Sequence, residues 1–265
     1  MVSELRLAEV EARLAGVEIS RWFDPFLRAF ARETLGSGGR ALLAVGSGRV
    51  LGLLLTDPAE RSASLFARSR SAAEQLARLP TERTLYSEVD LGGTKERFGI
   101  YDGEVARLPP HRFLHLPRLL AESELPAVGD LLREVYGAPA EAWLRVAFAE
   151  GERCFGVEVD GILAGVAWVL VAGRWARLHT LTVRPGFRRL GVGSDLVAAR
   201  LLFAGQRGVA RAISEISERN GPSIAVAERC GMRPAGELFL HVSDAAASRP
   251  GRPGGEFGTG LPRIA

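Results

Sequence analysis

The stretch TVRPGFRRLGVGSDL, residues 182–196, carries the strongest signal for the fold. Its β-branched start favours the end of a strand, and the residues after the glycines have the pattern of a helix. Between them lie Arg188, Arg189 and the step Gly191-x-Gly193. A phosphate site at a helix N-terminus needs free backbone amides, small residues that let the ligand approach, and nearby cations. The stretch therefore predicts a phosphate-binding turn between a strand and a helix.

Spacing excludes two familiar phosphate loops. Gly186 and Gly191 have Walker spacing, but Val192 and Gly193 stand where that loop requires lysine and Ser/Thr. A dinucleotide fingerprint that begins at Gly191 would place its third glycine at Leu196, and the strands before the loop have an antiparallel pattern, not βαβ. A phosphate loop of another kind is therefore expected.

The elements around the loop predict a mixed α/β domain. Residues 153–183 have the pattern of three strands in series, with turns at Asp160-Gly161 and at Gly173. The other predicted elements of this half are helices over 121–137, 140–149, 193–207 and 222–230, and strands over 210–217 and 236–243.

Two motifs in this order resemble those of a known family. Val183-x-Pro185-x-x-Arg188-x-x-Gly191-x-Gly193, between an antiparallel strand and a helix, resembles the acetyl-CoA signature of the GNAT superfamily of N-acetyltransferases. NGPSIAVAERCGM, residues 220–232, is similar to the second signature of that family. The resemblance covers about residues 111–243. It implies a mixed, mostly antiparallel central sheet flanked by helices, and acetyl transfer from the cosubstrate acetyl-CoA to a primary amine.

The resemblance also implies which residues bind the donor. In this family the loop amides bind the pyrophosphate of CoA, and the end of the fourth strand pairs with the pantetheine arm. Carried over by position, the pyrophosphate contacts fall on Arg188, Arg189, Gly191, Val192, Gly193 and Ser194. The pantetheine contacts fall on Leu181, Thr182 and Val183. Asn220 and Ser223, at the start of the helix predicted over 222–230, add further contacts to the cofactor.

Three residues are candidates for the proton transfer that acetylation of an amine requires. Glu215 is the first, because it lies on the fifth strand five residues before Asn220, where members of the family carry a catalytic glutamate. Glu218 is the second, nearer the end of the strand. His179, on the fourth strand, is the third, since histidine exchanges protons near neutral pH. The alternatives are a surface carboxylate and a structural histidine.

One position departs from the family pattern. Ala227 stands where the second signature usually has tyrosine, the common general acid for the thiolate. Cys230 and Ser223 lie on the same helix and could replace it, as could water. The departure also leaves open a module that binds acyl-CoA as a sensor without turnover.

The sequence predicts a separate first domain over residues 1–110, which ends at Pro109-Pro110. An acetyltransferase domain over 111–243 and a flexible tail over 244–265 are expected to follow. The predicted elements of the first domain are helices over 1–16, 21–35 and 70–79 and strands over 41–45, 50–55, 84–91 and 97–108. GRVLGLLLT, residues 48–56, repeats the pattern of GILAGVAWV, residues 161–169. We therefore expect a degenerate second GNAT-like domain, which would shape the acceptor cleft or form a homodimer.

A further motif in the first half resembles another family. VDLGGTKERFGIYDGEV, residues 89–105, resembles the first phosphate loop of the ROK family of sugar kinases. The ATPase fold of that family needs further motifs over two domains, but most of the chain after Val105 follows the acetyltransferase pattern. We interpret Gly92-Gly93 as a bend or bulge, and a kinase fragment is the remote alternative.

Composition and motifs indicate which classes of binding partner to expect. A net charge of +3 with 7% aromatic residues and no RNA-binding or zinc-finger signature suits a small anionic cofactor, so we expect no nucleic-acid partner. The apolar run ILAGVAWVLVAG is too short to span a membrane, and no membrane partner is expected. Cys154 and Cys230 have no metal-ligand spacing, so no metal is expected, and two thiols suit the cytoplasm. The acceptor, a small-molecule or protein amine, cannot be read from the sequence.

Overall fold

The computed structural model describes residues 1–57, 62–79, 84–137 and 141–242. The chain forms two compact units, one of Met1–Phe98 with residues 237–242, the other of Gly99–Gly236. The units divide between Phe98 and Gly99 and again between Gly236 and Glu237. The domain boundary between residues 110 and 111 stays a prediction. The tail predicted over 244–265 lies outside the described residues.

The secondary-structure elements are numbered in chain order. The strands are β1 (Val2–Leu5), β2 (Arg40–Gly46), β3 (Arg49–Asp57), β4 (Ser62–Ala67), β5 (Thr84–Ser87), β6 (Thr94–Glu104), β7 (Arg118–Leu119), β8 (Arg153–Val159), β9 (Ile162–Ala172), β10 (Trp175–Val183), β11 (Arg211–Ser217) and β12 (Arg233–Val242). The helices are α1 (Val10–Leu14), α2 (Leu27–Gly36), α3 (Arg70–Ala77), α4 (Leu125–Tyr136), α5 (Glu141–Ala149), α6 (Val192–Gln206) and α7 (Gly221–Arg229). Short 3₁₀ turns lie at Leu7–Glu9, Asp24–Phe26, Val105–Arg107, Glu122–Glu124 and Pro185–Phe187.

Both units repeat one strand order. In the first unit the order is β1-β2-β3-β4-β5-β12, with antiparallel pairs except for the parallel pair β4–β5. In the second unit the order is β7-β8-β9-β10-β11-β6, again with antiparallel pairs from β7 to β10 and a parallel pair β10–β11. A helix connects the parallel strands in each unit, α3 in the first and α6 in the second, as a parallel crossover requires. The predicted mixed, mostly antiparallel fold is confirmed.

The repeated glycine hairpin lies at equivalent places. β3 and β9, which carry the repeat seen in the sequence, are the third strands of their sheets. A Cβ on Gly52 would meet Leu76 Cδ1 of α3 at 2.7 Å, and a Cβ on Gly165 would meet Val192 Cγ1 of α6 at 2.9 Å. In both units the glycine therefore lets the crossover helix pack closely against the third strand.

Two predictions for the first half are wrong in detail. Residues 1–16 were expected to be helical, but Val2–Leu5 form an edge strand against β2, with Val2 opposite Ala44. Pairing with an existing strand outweighs local helix propensity here. The prediction also lacked β4, whose alternation is hidden because nearly all of its residues are buried.

The glycine pair of the kinase-like motif forms a tight turn. Gly92 and Gly93 have φ of 86° and 65°, which glycine adopts without strain. Asp90 Oδ1 accepts hydrogen bonds from Gly92 N at 2.9 Å and Thr94 Oγ1 at 2.8 Å, which closes an Asx turn between β5 and β6. The interpretation of the pair as a bend is confirmed.

Candidate functional site

The site of the second unit begins where two parallel strands separate. β10 pairs with β11 only from Trp175 opposite Arg211 to Arg177 opposite Ile213. On its other side β10 pairs with β9, but the register shifts between His179 and Thr182. Such a bulge bends a strand and increases its twist locally. The ends of β10 and β11 therefore lie apart beyond Arg177 and Ile213.

Thr180 lies inside this bulge with unusual backbone geometry. Its φ of 48° lies in the left-handed region, which β-branched residues rarely adopt. Strain of this kind persists only where surrounding contacts enforce it and is concentrated at functional sites. Thr180 Oγ1 lies 3.1 Å from His179 Nδ1, so the two side chains of the bulge are joined by a hydrogen bond.

The glycine loop follows β10 and starts helix α6. Gly191 is the N-cap of α6 with φ of 92°, and Arg189 just before it has φ of 67°. Asp195 N donates to Gly191 O at 3.0 Å, the first backbone bond of the helix. The amides of Val192, Gly193 and Ser194 precede this bond and have no intrahelical acceptor. Together with the helix dipole, these amides make the start of α6 favourable for an anion.

Gly193 is not required by the fold. Its φ is not positive, and a Cβ there would meet nothing closer than Val183 Cγ2 at 3.9 Å. The space above the first turn of α6 is therefore open. Arg188 and Arg189 are exposed beside it, and Arg188 Nε donates to Val183 O at 3.2 Å.

A segment before α4 holds the loop in place. Asp195, in the first turn of α6, accepts hydrogen bonds from His111 Nε2 at 2.8 Å and from His115 Nδ1 at 2.8 Å. Burial alone would raise the pKa of Asp195, but these and backbone hydrogen bonds outweigh it and lower the pKa. Leu114 covers Gly191, because a Cβ there would lie 2.7 Å from Leu114 Cδ1. No motif in the sequence indicates these two histidine contacts to Asp195.

A small cavity lies in the gap between the separated strands. It is bounded by the bulge, by one face of α6 and by the start of α7. Its lining residues are Leu178, His179, Thr180, Leu181, Val197, Arg200, Ser214, Ile216, Ser223 and Met232. The cavity therefore lies next to the glycine loop and contains two of the predicted site residues on β10 and one on α7.

Glu215 and Arg177 form a buried ion pair next to the gap. Both side chains are 0% exposed, and Arg177 Nε lies 3.1 Å and 3.2 Å from the two carboxylate oxygens of Glu215. Alternation along the strands places both on the face opposite Leu178 and Ile216, which pack against α6. Glu215 is thus part of a buried charge pair, whereas Glu218 is exposed beyond the end of β11.

Glu152 is a buried carboxylate that the sequence analysis missed. Its Oε2 lies 3.1 Å from His179 Nε2, and the side chains are 2% and 0% exposed. Burial raises the pKa of Glu152 to about 8, although the charge of Arg177 opposes this effect and that of Glu150 adds to it. Glu152 immediately precedes β8, and no motif distinguishes it, so only the folded chain shows its contact with His179.

The second signature adopts the predicted local structure. Asn220 caps α7, because its Oδ1 accepts a hydrogen bond from Ser223 N at 3.2 Å. Ala227 is 3% exposed and packs in the core of the second unit. Cys230 is a buried free thiol whose pKa is raised by burial. Ala227 has no proton to donate, and the raised pKa makes the Cys230 thiol a weaker acid. Neither residue therefore replaces the tyrosine of the family as an acid.

Comparisons with known proteins concern the same part of the chain. Residues 119–232 match the model of the acetyltransferase (GNAT) family. Curated relatives are the mycothiol acetyltransferases of Actinosynnema mirum, 35% identical over 141 residues, and of Clavibacter sepedonicus, 33% identical over 96 residues. The first match covers 50% of this chain and 43% of the relative, and the second covers 36% and 30%. The matched part of the chain thus spans less than half the length of these relatives.

Solved structures share the fold over nearly the whole chain. A tandem GNAT protein from the clavulanic acid biosynthesis pathway, without acetyl-CoA, has a TM-score of 0.59 at 16% identity and covers 91% of this chain and 97% of its own. A GCN5-related N-acetyltransferase from Sphaerobacter thermophilus has a TM-score of 0.63 at 15% identity, covering 96% and 98%. At these identities the likeness concerns the fold, and the predicted GNAT-like fold is confirmed. Among the described residues, no helix combines the length and apolarity needed to cross a membrane.

The raised pKa of Glu152 predicts how stability depends on pH. Between about 4.5, the ordinary value, and about 8, folded Glu152 keeps a proton that the unfolded chain has lost. Its contribution to stability therefore falls as pH rises through this range. Glu152→Gln has no such proton, so the stability of this variant relative to wild type should increase from about pH 5 to about pH 8 in denaturant titrations.

Glu122→Gln, which changes an exposed carboxylate of the same unit, is the matched control and should show no comparable trend. A stability difference for Glu152→Gln that stays constant over this range would contradict the raised pKa.

Proposed function

We propose that this protein, of which residues 119–232 match the acetyltransferase (GNAT) family model, transfers an acetyl group from acetyl-CoA to a primary amine. The single observation that carries the proposal is the juxtaposition of an open, glycine-started α6 with the gap between β10 and β11. The start of α6 can bind a phosphate anion, and the gap can admit an extended chain that ends in a thioester. Both lie on elements that match the family model.

The donor site uses backbone groups more than side chains. The amides at the start of α6 would bind the pyrophosphate, and the exposed Arg188 and Arg189 add positive charge beside it. Leu181, Thr182 and Val183 would pair with the pantetheine arm along the free edge of β10. Asn220 supports this site through the cap of α7, which directs Ser223 to the cavity.

His179 is the better candidate for the proton transfer. It lines the cavity and is hydrogen-bonded to Thr180, with Glu152 on its other nitrogen. Glu215 keeps a supporting role, because Arg177 occupies its carboxylate and the pair balances two buried charges. Glu218 is the least favoured of the three, since its exposed position is beyond the end of β11.

The acceptor is a primary amine, and compounds related to mycothiol are the first to test. This choice rests on the names of the relatives from Actinosynnema mirum and Clavibacter sepedonicus. The chain matches 43% and 30% of their length. Fold and donor site do not determine the acceptor, so small amines and protein N-termini belong in the same screen.

The donor site predicts the effect of filling the space above α6. Gly193→Leu puts a side chain into open space, so we expect little change in stability and at least a tenfold loss of CoA affinity in calorimetry. Gly186→Leu is the matched control, because a Cβ at Gly186 meets nothing within 4 Å and Gly186 is not among the expected CoA contacts. Gly191→Asp is less informative, since its φ strains any side chain. Unchanged CoA affinity in Gly193→Leu would contradict the donor site.

The reaction itself is tested by release of thiol from acetyl-CoA in the presence of a library of amines that includes mycothiol-related compounds. We expect amine-dependent release by wild type, and a loss of about 10²–10⁴-fold in kcat for His179→Gln with retained CoA binding. Binding of acetyl-CoA without release for any amine would instead support the acyl-CoA sensor that the missing tyrosine left open.

A further inference from the structure

Arg200 is a buried cation in the middle of α6. It is 2% exposed, and its guanidinium donates to three backbone carbonyls. Nε donates to Leu196 O at 3.2 Å, and Nη1 donates to Trp168 O at 2.9 Å and to His179 O at 3.1 Å. The last of these carbonyls belongs to the bulge of β10. Arg200 is therefore held at the point where β10 and β11 separate.

The charge of Arg200 has no carboxylate partner among the described residues. Its hydrogen-bond partners are the three carbonyls, and the titratable groups that act to raise its pKa are the thiols of Cys230 and Cys154. Burial lowers the pKa of Arg200 to about 9, so the guanidinium still carries its charge near neutral pH. An isolated buried charge is costly unless it is paired, which makes this a site that favours an anion.

Two donors of Arg200 remain for such an anion. Arginine has five N–H donors, and the three carbonyls use one on Nε and two on Nη1. Within the described part of the chain, Nη2 donates no hydrogen bond to the protein. Arg200 also lines the cavity, together with Val197 from the preceding turn of α6. The free end of the guanidinium is thus available to a ligand in the cavity.

We propose that Arg200 stabilises the thiolate of CoA as it leaves, and so takes over the task of the tyrosine that is absent at Ala227. The inference rests on the proposed function, because it requires the thioester to occupy the cavity. Ala227 is on α7 and buried, whereas Arg200 reaches the same gap from α6.

The chemistry needs no proton from Arg200. The amine nitrogen attacks the carbonyl carbon of the thioester and forms the C–N bond, and its proton passes to His179. The C–S bond then breaks with its electron pair on sulfur. The thiolate is stabilised by the guanidinium through charge-assisted hydrogen bonds, and it takes a proton from water after leaving.

CoA alone, without acetyl transfer, tests this inference. The ultraviolet absorbance of the thiolate gives the pKa of the bound CoA thiol as pH is varied. In wild type we expect this pKa to be about 1 to 3 below that of the free thiol, because a cation at contact distance favours the anion. In Arg200→Gln the pKa of the bound thiol should return to the free value, while CoA still binds through the loop.

Two further variants separate electrostatics from folding. Arg200→Lys keeps a cation and should keep part of the lowering, so it remains informative where Arg200→Gln fails to fold. Arg207→Gln is the matched control, because Arg207 is exposed at the end of the same helix and stacks on Phe203 at 3.5 Å. Its bound CoA thiol should behave as in wild type.

Turnover gives the second readout. Arg200→Gln should lower kcat by about 10²–10³-fold with a smaller effect on KM for acetyl-CoA, since the charge on sulfur develops only in the transition state. A bound CoA thiol with an unshifted pKa in wild type would overturn the role of Arg200 and leave the donor site intact. Failure of CoA to bind at all would overturn both this inference and the proposed function.

Discussion

The separation of β10 from β11 is the constraint on which the rest of the second unit depends. Two parallel strands that stop pairing inside a domain leave backbone groups that must find other partners. The protein supplies them from side chains: Ser214 Oγ donates to Leu178 O at 2.8 Å, and Arg200 donates to His179 O. Two carbonyls of β10 are thus satisfied by side chains of the same unit.

The same separation explains the buried charges around it. Opening the sheet admits polar side chains to both of its faces, and these are tolerated only when paired or hydrogen-bonded. On one face, Arg177 is balanced by Glu215, and His179 lies against Glu152. On the other face, Arg200 is bonded to carbonyls alone. The asymmetry favours an anion on the α6 side.

The sequence predicted what local patterns and motifs encode. The glycine loop, the start of α6 and the Asn220 cap follow from residues adjacent in the chain, and all three have the expected local structure. The bulge at Thr180 was not predictable, because left-handed φ at a β-branched residue is imposed by tertiary contacts. The contact between Glu152 and His179 joins residues that no motif connects. The return of β12 to the first unit is likewise a long-range pairing that local propensity does not reveal.

The most direct measurement of the central claim is a crystal structure of the protein with CoA. The account predicts the pyrophosphate within hydrogen-bonding distance of the amides of Val192, Gly193 and Ser194, with the pantetheine arm along β10 and the sulfur in the cavity near Arg200. CoA bound at another place, or an extended arm that avoids the gap between β10 and β11, would contradict it.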